Sequence, residues 1–159
     1  MKDSDKEDNV GFTTIEDIIK FAVQREDTAY RLYKEAAEKT TSIAARKMFE
    51  EMAAEEAGHK EVFSRVDLAD AVRQATSAIP DMKIADYLVD VPLRPDMTYA
   101  EILTYAIKTE ENAFQLYKAA AEMTDDAKLK KTLQIFAEVE LGHKKRVEAL
   151  YDEHVLTEN

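Results

Sequence analysis

The sequence has 159 residues and contains no cysteine, only three glycines and only three prolines. The lack of cysteine excludes disulfides, thiolate zinc sites, iron–sulfur clusters and a cysteine nucleophile. The scarcity of glycine and proline favours long, uninterrupted helices. The abundance of Ala, Glu, Lys, Leu and Asp points the same way, because this composition is typical of all-α proteins.

Long apolar runs and excess positive charge are also missing. No apolar stretch reaches the roughly 20 residues of a transmembrane helix, and no signal-peptide pattern is present. The formal net charge is −11, which disfavours binding to nucleic acid or to an anionic membrane surface. We therefore expect one domain without nucleic-acid or membrane partners, with the cytoplasm as its default location.

The sequence repeats itself at one constant offset. His59 is matched by His143, 84 positions later, and Glu56 is matched by Glu140 at the same offset. The repeat predicts a fold made of two copies of a helix pair. Further matches at this offset are Ala22 with Ala106, Glu26 with Glu110, Ala29 with Ala113, Leu32 with Leu116, Tyr33 with Tyr117, Gly58 with Gly142 and Lys60 with Lys144.

Helix signals divide the chain into these two pairs. Thr13 or Thr14 fits a capping box before the first helix, and Thr98 fits one before the third. All three prolines fall between positions 80 and 95, so a continuous helix is impossible there. The spacing predicts an antiparallel four-helix bundle with one long crossover between the second and third helices. The predicted segments are a mobile tail at 1–11, a bundle at 12–154, helices at about 14–39, 42–74, 98–123 and from about 127 to a frayed end, and a linker at about 75–97 with a short helix at 81–88.

Each predicted helix carries polar residues on its apolar stripe. Glu56 with His59, and Glu140 with His143, are spaced so that both side chains of a pair lie on one helix face. Glu26 and Glu110 interrupt the stripes of the other two helices. Two Glu-x-x-His pairs and two single glutamates can form a dinuclear metal site in a bundle core.

Electrostatics also favours metal at these positions. Buried ionised carboxylates repel one another and are costly unless they are paired or metal-bound. No basic residue is placed on any of the four predicted stripes near them. Two divalent cations would balance four carboxylates, with both histidines neutral. Carboxylate and imidazole ligands accept Fe, Mn, Zn and Co.

Two further pairs accompany these positions. Tyr33 and Tyr117 follow Glu26 and Glu110 by two helical turns, where a hydroxyl could donate to a metal-bound carboxylate or the ring could serve ordinary core packing. Glycine is unfavourable in a helix, so Gly58 and Gly142 suggest close helix approach or room for a ligand, although simple helix packing is an alternative.

These motifs resemble the ferritin-like superfamily and, within it, the rubrerythrin-type diiron domain. The resemblance covers about residues 12–152. It implies a ferritin-like antiparallel bundle holding two iron ions. Two features differ from rubrerythrins proper: an extra Glu is replaced by Ala113, and the four-cysteine rubredoxin module is missing. The motifs are Glu26-x-x-Ala29-x-x-x-Tyr33, Glu56-x-x-His59, Glu110-x-x-Ala113-x-x-x-Tyr117 and Glu140-x-x-His143, in which Glu56 and Glu140 would bridge the irons, Glu26 and Glu110 would be terminal ligands, and His59 and His143 would bind one iron each.

The resemblance implies a redox enzyme of oxidative stress defence. Such an enzyme would reduce hydrogen peroxide or O₂ with electrons from an external donor, and it would be a homodimer. A second hypothesis is ferroxidase activity and iron storage, which requires a hollow shell of many subunits. A third is a non-catalytic helical interaction module with a vestigial site.

Overall fold

Four long helices form an antiparallel bundle, as the repeat predicts. A computed structural model describes residues 14–76, 94 and 96–158, without the side chains of the last two. The described residues form an all-α fold, in which the predicted crossover joins the first helix pair to the second and lies mostly outside the described residues. The helices are α1 (Ile15–Lys39), α2 (Ile43–Ser64), α3 (Leu68–Arg73), α4 (Tyr99–Ala121) and α5 (Ala127–Glu158).

Matching capping boxes start the first helix of each pair. The Thr14 hydroxyl accepts from the backbone N–H of Asp17 at 3.1 Å, and the Asp17 carboxylate accepts from the N–H of Thr14 at 3.3 Å. Thr98 and Glu101 form the same two bonds at the same distances. Each box satisfies backbone donors that a helix N-terminus leaves without partners.

The predicted single helix over 42–74 is wrong. The structure ends α2 at Ser64 and starts the short helix α3 at Leu68. Asp67 causes the restart, because its carboxylate accepts from the backbone N–H of Asp70 at 3.1 Å and caps a new helix. After α3, the Gln74 carbonyl accepts from the N–H of Asp125 at 3.0 Å. The break therefore ties the end of the first helix pair to the turn between α4 and α5.

Other predicted boundaries differ less or lie outside the described residues. The helix expected to reach residue 123 ends at Ala121, and α5 continues to Glu158 where fraying was expected. The tail at 1–11, the short helix at 81–88 and most of the linker at 75–97 fall outside the described residues, so these remain predictions.

Two apolar clusters fill the bundle, one on each side of a polar layer. One cluster is built around Ile18, Phe63 and Leu133, and the other around Phe49 and Leu103. Burial of side chains of this size stabilises a fold by about 1.5–3 kcal/mol each. The two clusters hold the helices rigidly above and below the polar layer, which fixes where its side chains point.

The backbones of the two helix pairs approach most closely at α1 and α4, whereas the α2 and α5 backbones lie farther apart and meet through their side chains. Within each pair, an ion pair repeats with the sequence offset: Lys60 bonds to Asp27 at 2.9 Å, and Lys144 bonds to Glu111 at 3.1 Å. These surface pairs contribute little stability individually. They show that the sequence repeat is also a repeat of side-chain contacts.

Gly58 lies on α2 and Gly142 lies on α5. A Cβ atom built at either glycine meets no atom of the described residues within 4 Å. Within the described chain, neither close helix approach nor helix packing explains the two glycines. The space beside them is open. Separately, among the described residues no helix combines the length and apolar character needed to cross a membrane.

We predict that Thr14→Ala and Thr98→Ala each lower the free energy of unfolding by about 1 kcal/mol, because each removes one capping box. Urea denaturation followed by circular dichroism measures the change. Thr104→Ala is the matched control, since Thr104 is exposed inside α4 and its hydroxyl bonds only to the Ala100 carbonyl. Equal effects at all three positions would contradict the capping role.

Candidate metal centre

The polar layer brings the six predicted site residues together. α1 contributes one glutamate, α4 contributes one, and α2 and α5 each contribute a Glu-x-x-His pair on one helix face. All four glutamates are fully buried. The six residues are Glu26, Glu56, His59, Glu110, Glu140 and His143.

These residues form two overlapping groups of possible ligands. In each group, one donor atom from every residue lies within 4.8 Å of the others. Glu56 and Glu140 belong to both groups, so they lie between the two positions that a cation could take. The first group adds Glu26 and His59 to the shared pair, and the second adds Glu110 and His143.

Arg25 also lies in this layer, which corrects the expectation that no basic residue is near. Its side chain is 4% exposed, and Nη1 lies 2.6 Å from Glu56 Oε2 and 3.4 Å from Glu26 Oε2. Nη1 also contacts Glu140 Oε2, and Nη2 lies 3.0 Å from Glu110 Oε2. The sequence pattern missed this residue because it is one position away from the stripe, and a long side chain can still reach the core from there.

Arg25 does not neutralise all four carboxylates. Burial raises the pKa of Glu26 and Glu140, but the attraction of Arg25 and the hydrogen bonds from His59 and a neighbouring glutamate together outweigh it, and both pKa values lie below the ordinary value. Burial dominates at the other two. It raises the pKa of Glu110 to about 7 and, with repulsion from Glu140, holds the pKa of Glu56 well above its usual range. One guanidinium is therefore too little positive charge for this layer.

His59 Nδ1 faces the first group. It lies 3.1 Å from Glu140 Oε1 and 3.7 Å from Glu26 Oε1. The ring stacks on Phe136 with the centroids 3.9 Å apart. Burial lowers the pKa of His59, but its bonds to these carboxylates outweigh burial and raise the pKa to about 9.

His143 is oriented by a carboxylate that the sequence analysis missed. Its Nδ1 lies 2.9 Å from Glu56 Oε1, and its Nε2 lies 2.7 Å from Oε2 of Glu55. An imidazole that donates from Nε2 to Glu55 presents the Nδ1 lone pair to the layer, which is the arrangement of metal-binding histidines. The only sequence signal for Glu55 is that it directly precedes Glu56; its repeat mate is Val139.

The two tyrosines donate across the interface between the helix pairs. Tyr33 on α1 donates to Glu110 Oε1 on α4 at 2.5 Å. Tyr117 on α4 donates to Glu26 Oε1 on α1 at 2.7 Å. Burial and the neighbouring carboxylates raise both tyrosine pKa values well above the ordinary value, so the hydroxyls stay protonated as donors.

Three buried acceptor atoms of the layer make no hydrogen bond within the described residues: Glu56 Oε1, Glu110 Oε2 and His143 Nδ1. Buried polar atoms usually have partners, so unpaired ones require a specific explanation. Carboxylate oxygens and an imidazole nitrogen that point at one another are suited to divalent metal ions. The residues therefore fit a two-metal centre.

A surface cavity leads towards this layer. It has a volume of about 650 Å³ and lies along α5, next to Glu55 of α2. Gly142 and His143 line it, together with Glu138 and Arg146. The open space beside Gly142 adjoins this cavity, and His143, whose side chain is 2% exposed, forms part of its wall.

Comparisons with known proteins agree with this fold. The family model described as Rubrerythrin matches residues 7–87 and 101–159. No curated protein matches the chain significantly. A crystal structure of a putative ferritin-like diiron-carboxylate protein from Thermotoga maritima is 24% identical, with a TM-score of 0.73 over 90% of this chain and 97% of that one. A hypothetical protein from Pyrococcus furiosus is 23% identical, with a TM-score of 0.63 over 87% and 89%. The predicted ferritin-like fold is confirmed.

We predict that the chelated, metal-free protein loses stability between pH 6 and pH 9. The pKa of His59 is raised to about 9, so its protonated ring stabilises the fold fully below pH 6.5, and this stability is lost as the pH rises through 9. The pKa of Glu110 is raised to about 7, so the folded protein loses stability relative to the unfolded chain as the pH rises from 4.5 to 7. Both effects have the same sign, and together they amount to roughly 4 kcal/mol.

Urea denaturation midpoints at the two pH values measure this loss. The lowered pKa values of Glu26 and Glu140 affect stability only below pH 4.5, which is outside this range. Metal-loaded protein is the control: metal affinity rises as its ligands lose protons, so loading should offset the loss at pH 9. Greater stability of the chelated protein at pH 9 would contradict the prediction.

We predict that Tyr33→Phe and Tyr117→Phe each destabilise the protein by about 1–3 kcal/mol, because each leaves a buried carboxylate without its donor. The matched control is Tyr30→Phe, since the Tyr30 hydroxyl only accepts from exposed Lys34 at 3.2 Å. Urea denaturation measures all three variants. If the two buried tyrosines behave like Tyr30, they serve ordinary packing and not support of the carboxylates.

Proposed function

Because the chain belongs to the rubrerythrin family, we propose that it is a non-haem diiron-carboxylate protein. It reduces hydrogen peroxide or O₂ with electrons from an external donor, and it acts as a homodimer. The observation that carries the proposal is the pair of overlapping ligand groups that share Glu56 and Glu140. The ferritin-like diiron-carboxylate description of the similar Thermotoga protein supports iron as the metal.

The proposed ligand roles follow from the groups. Glu56 and Glu140 bridge the two positions because both groups contain them. Glu26 and His59 complete one position, and Glu110 and His143 complete the other. Two bound irons would supply the two electrons and the Lewis acidity that peroxide reduction needs.

The protein's own groups prepare the site for this chemistry. The two apolar clusters exclude water above and below the carboxylates, which strengthens every electrostatic interaction in the layer. Tyr33 and Tyr117 hold protons on their hydroxyls and orient Glu110 and Glu26. Glu55 fixes the orientation of His143 at the end of the surface cavity.

The electrons must enter from outside the chain. Reduction of one hydrogen peroxide to two waters consumes two electrons and two protons. With no cysteine in the sequence, the chain cannot carry the thiolate-bound iron of a rubredoxin module. A separate reduced protein or small reductant therefore completes each turnover.

The test combines metal content with single-turnover kinetics. Protein from iron-fed cells should contain about two irons per chain, as expected for a dinuclear carboxylate centre, and its ferrous form should react with peroxide faster than Fe²⁺ in buffer. Glu56→Ala should lose bound iron and this fast reaction, because Glu56 belongs to both ligand groups. Glu51→Ala is the control, an exposed glutamate on the same helix, and should keep both.

The solution mass decides between the two iron functions. A dimer with fast peroxide consumption supports the enzyme. A hollow cage of many subunits that accumulates iron would replace it with ferroxidase and storage activity. Folded protein that binds no metal, with Glu56→Ala altering stability alone, would leave the non-catalytic helical module.

A further inference from the structure

Arg25 is the one residue of the polar layer that the proposed metal centre does not use. Its guanidinium touches all four buried carboxylates. It is a cation placed among the oxygens that would bind metal. Metal and guanidinium must therefore compete for the same acceptors.

The guanidinium contacts the carboxylates of both ligand groups. Nη1 contacts the shared pair Glu56 and Glu140, and it lies 3.4 Å from Glu26 of the first group. Nη2 lies 3.0 Å from Glu110 of the second group. The guanidinium therefore lies against every carboxylate that would bind metal, beside both cation positions.

The donors of the guanidinium are used unevenly, because Nη1 donates to Glu26, Glu56 and Glu140. Nε and Nη2 make no hydrogen bond within the described residues, although Arg–carboxylate pairs are strongest when two parallel bonds form. Incoming metal would therefore displace a cation whose donors are only partly satisfied. Two divalent ions plus Arg25 would also carry five positive charges against four carboxylates, so retention of all three is unfavourable.

The repeat shows that packing does not require this arginine. Arg25 is matched by Thr109, 84 positions later, directly before Glu110 as Arg25 directly precedes Glu26. Thr109 is also buried. A small side chain therefore suffices at the equivalent position of α4.

We infer that Arg25 is a built-in competitor for metal at the two positions that share Glu56 and Glu140. It stabilises the bundle before metal binds, and it weakens metal binding because metal must displace the guanidinium from the carboxylates. This inference depends on the ligand set of the proposed function, but not on the reaction.

The test uses Arg25→Thr, which copies the repeat mate, and Co²⁺ followed by visible absorption. The wild-type protein should bind two Co²⁺. The Arg25→Thr variant should bind Co²⁺ more tightly by about tenfold or more, which corresponds to a coupling of about 1.4 kcal/mol. The chelated variant should unfold at a lower urea concentration, because its buried carboxylates lose their counter-ion.

Arg31→Thr is the matched control, since Arg31 is exposed on the same helix and pairs with Asp27. It should leave the Co²⁺ affinity unchanged. If Arg25→Thr folds only when Co²⁺ is added, that result supports the stabilising role of Arg25. Arg25→Lys, which keeps the charge but not the reach, should then fold without metal and bind Co²⁺ with an intermediate affinity.

Three results would overturn the inference. The first is an equal Co²⁺ affinity of the wild-type and Arg25→Thr proteins. This result would leave the proposed ligand set intact. The second is weaker Co²⁺ binding by the variant, which would mean that Arg25 arranges the carboxylates for metal. The third is folded wild-type protein that binds no Co²⁺, and this result alone also removes the proposed function.

Discussion

The structure depends on keeping four carboxylates together in a layer that water does not reach. Each is fully buried, and isolated buried charges are too costly to persist. Arg25, the two tyrosine hydroxyls and the two imidazoles reduce this cost. They do not remove it, as the raised pKa values of Glu56 and Glu110 show. The layer is therefore suited to cations of higher charge than a guanidinium.

The bundle tolerates this layer because apolar packing on both sides stabilises it. Phe63 belongs to one cluster and Phe49 to the other, and each packs against a tyrosine that reaches into the layer. The tyrosines connect the cores to the carboxylates, and they do so across the α1–α4 interface. Packing and site geometry are thus coupled: a shift between the helix pairs would break both hydroxyl bonds.

Most of the fold and the six candidate ligands could be predicted from the sequence, because periodicity and the repeat report which residues share a helix face. Glu26 and Glu110 were found this way, and so were His59 and His143, which lie three residues after Glu56 and Glu140. Arg25 and Glu55 could not be found, since each reaches the site from beside the stripe by side-chain length. The restart at Asp67 was missed because a cap can interrupt a helix while the apolar pattern continues.

The two residues that reach the site from beside a stripe each stand one position before a ligand glutamate. Arg25 directly precedes Glu26, and Glu55 directly precedes Glu56. One residue is about 100° around a helix, so a long side chain there reaches the flank of the ligand that follows. The repeat mates cannot form such contacts, because Thr109 is too short and Val139 is apolar. The ligands therefore stay symmetric while the residues before them differ, and this difference makes the two halves of the centre chemically distinct.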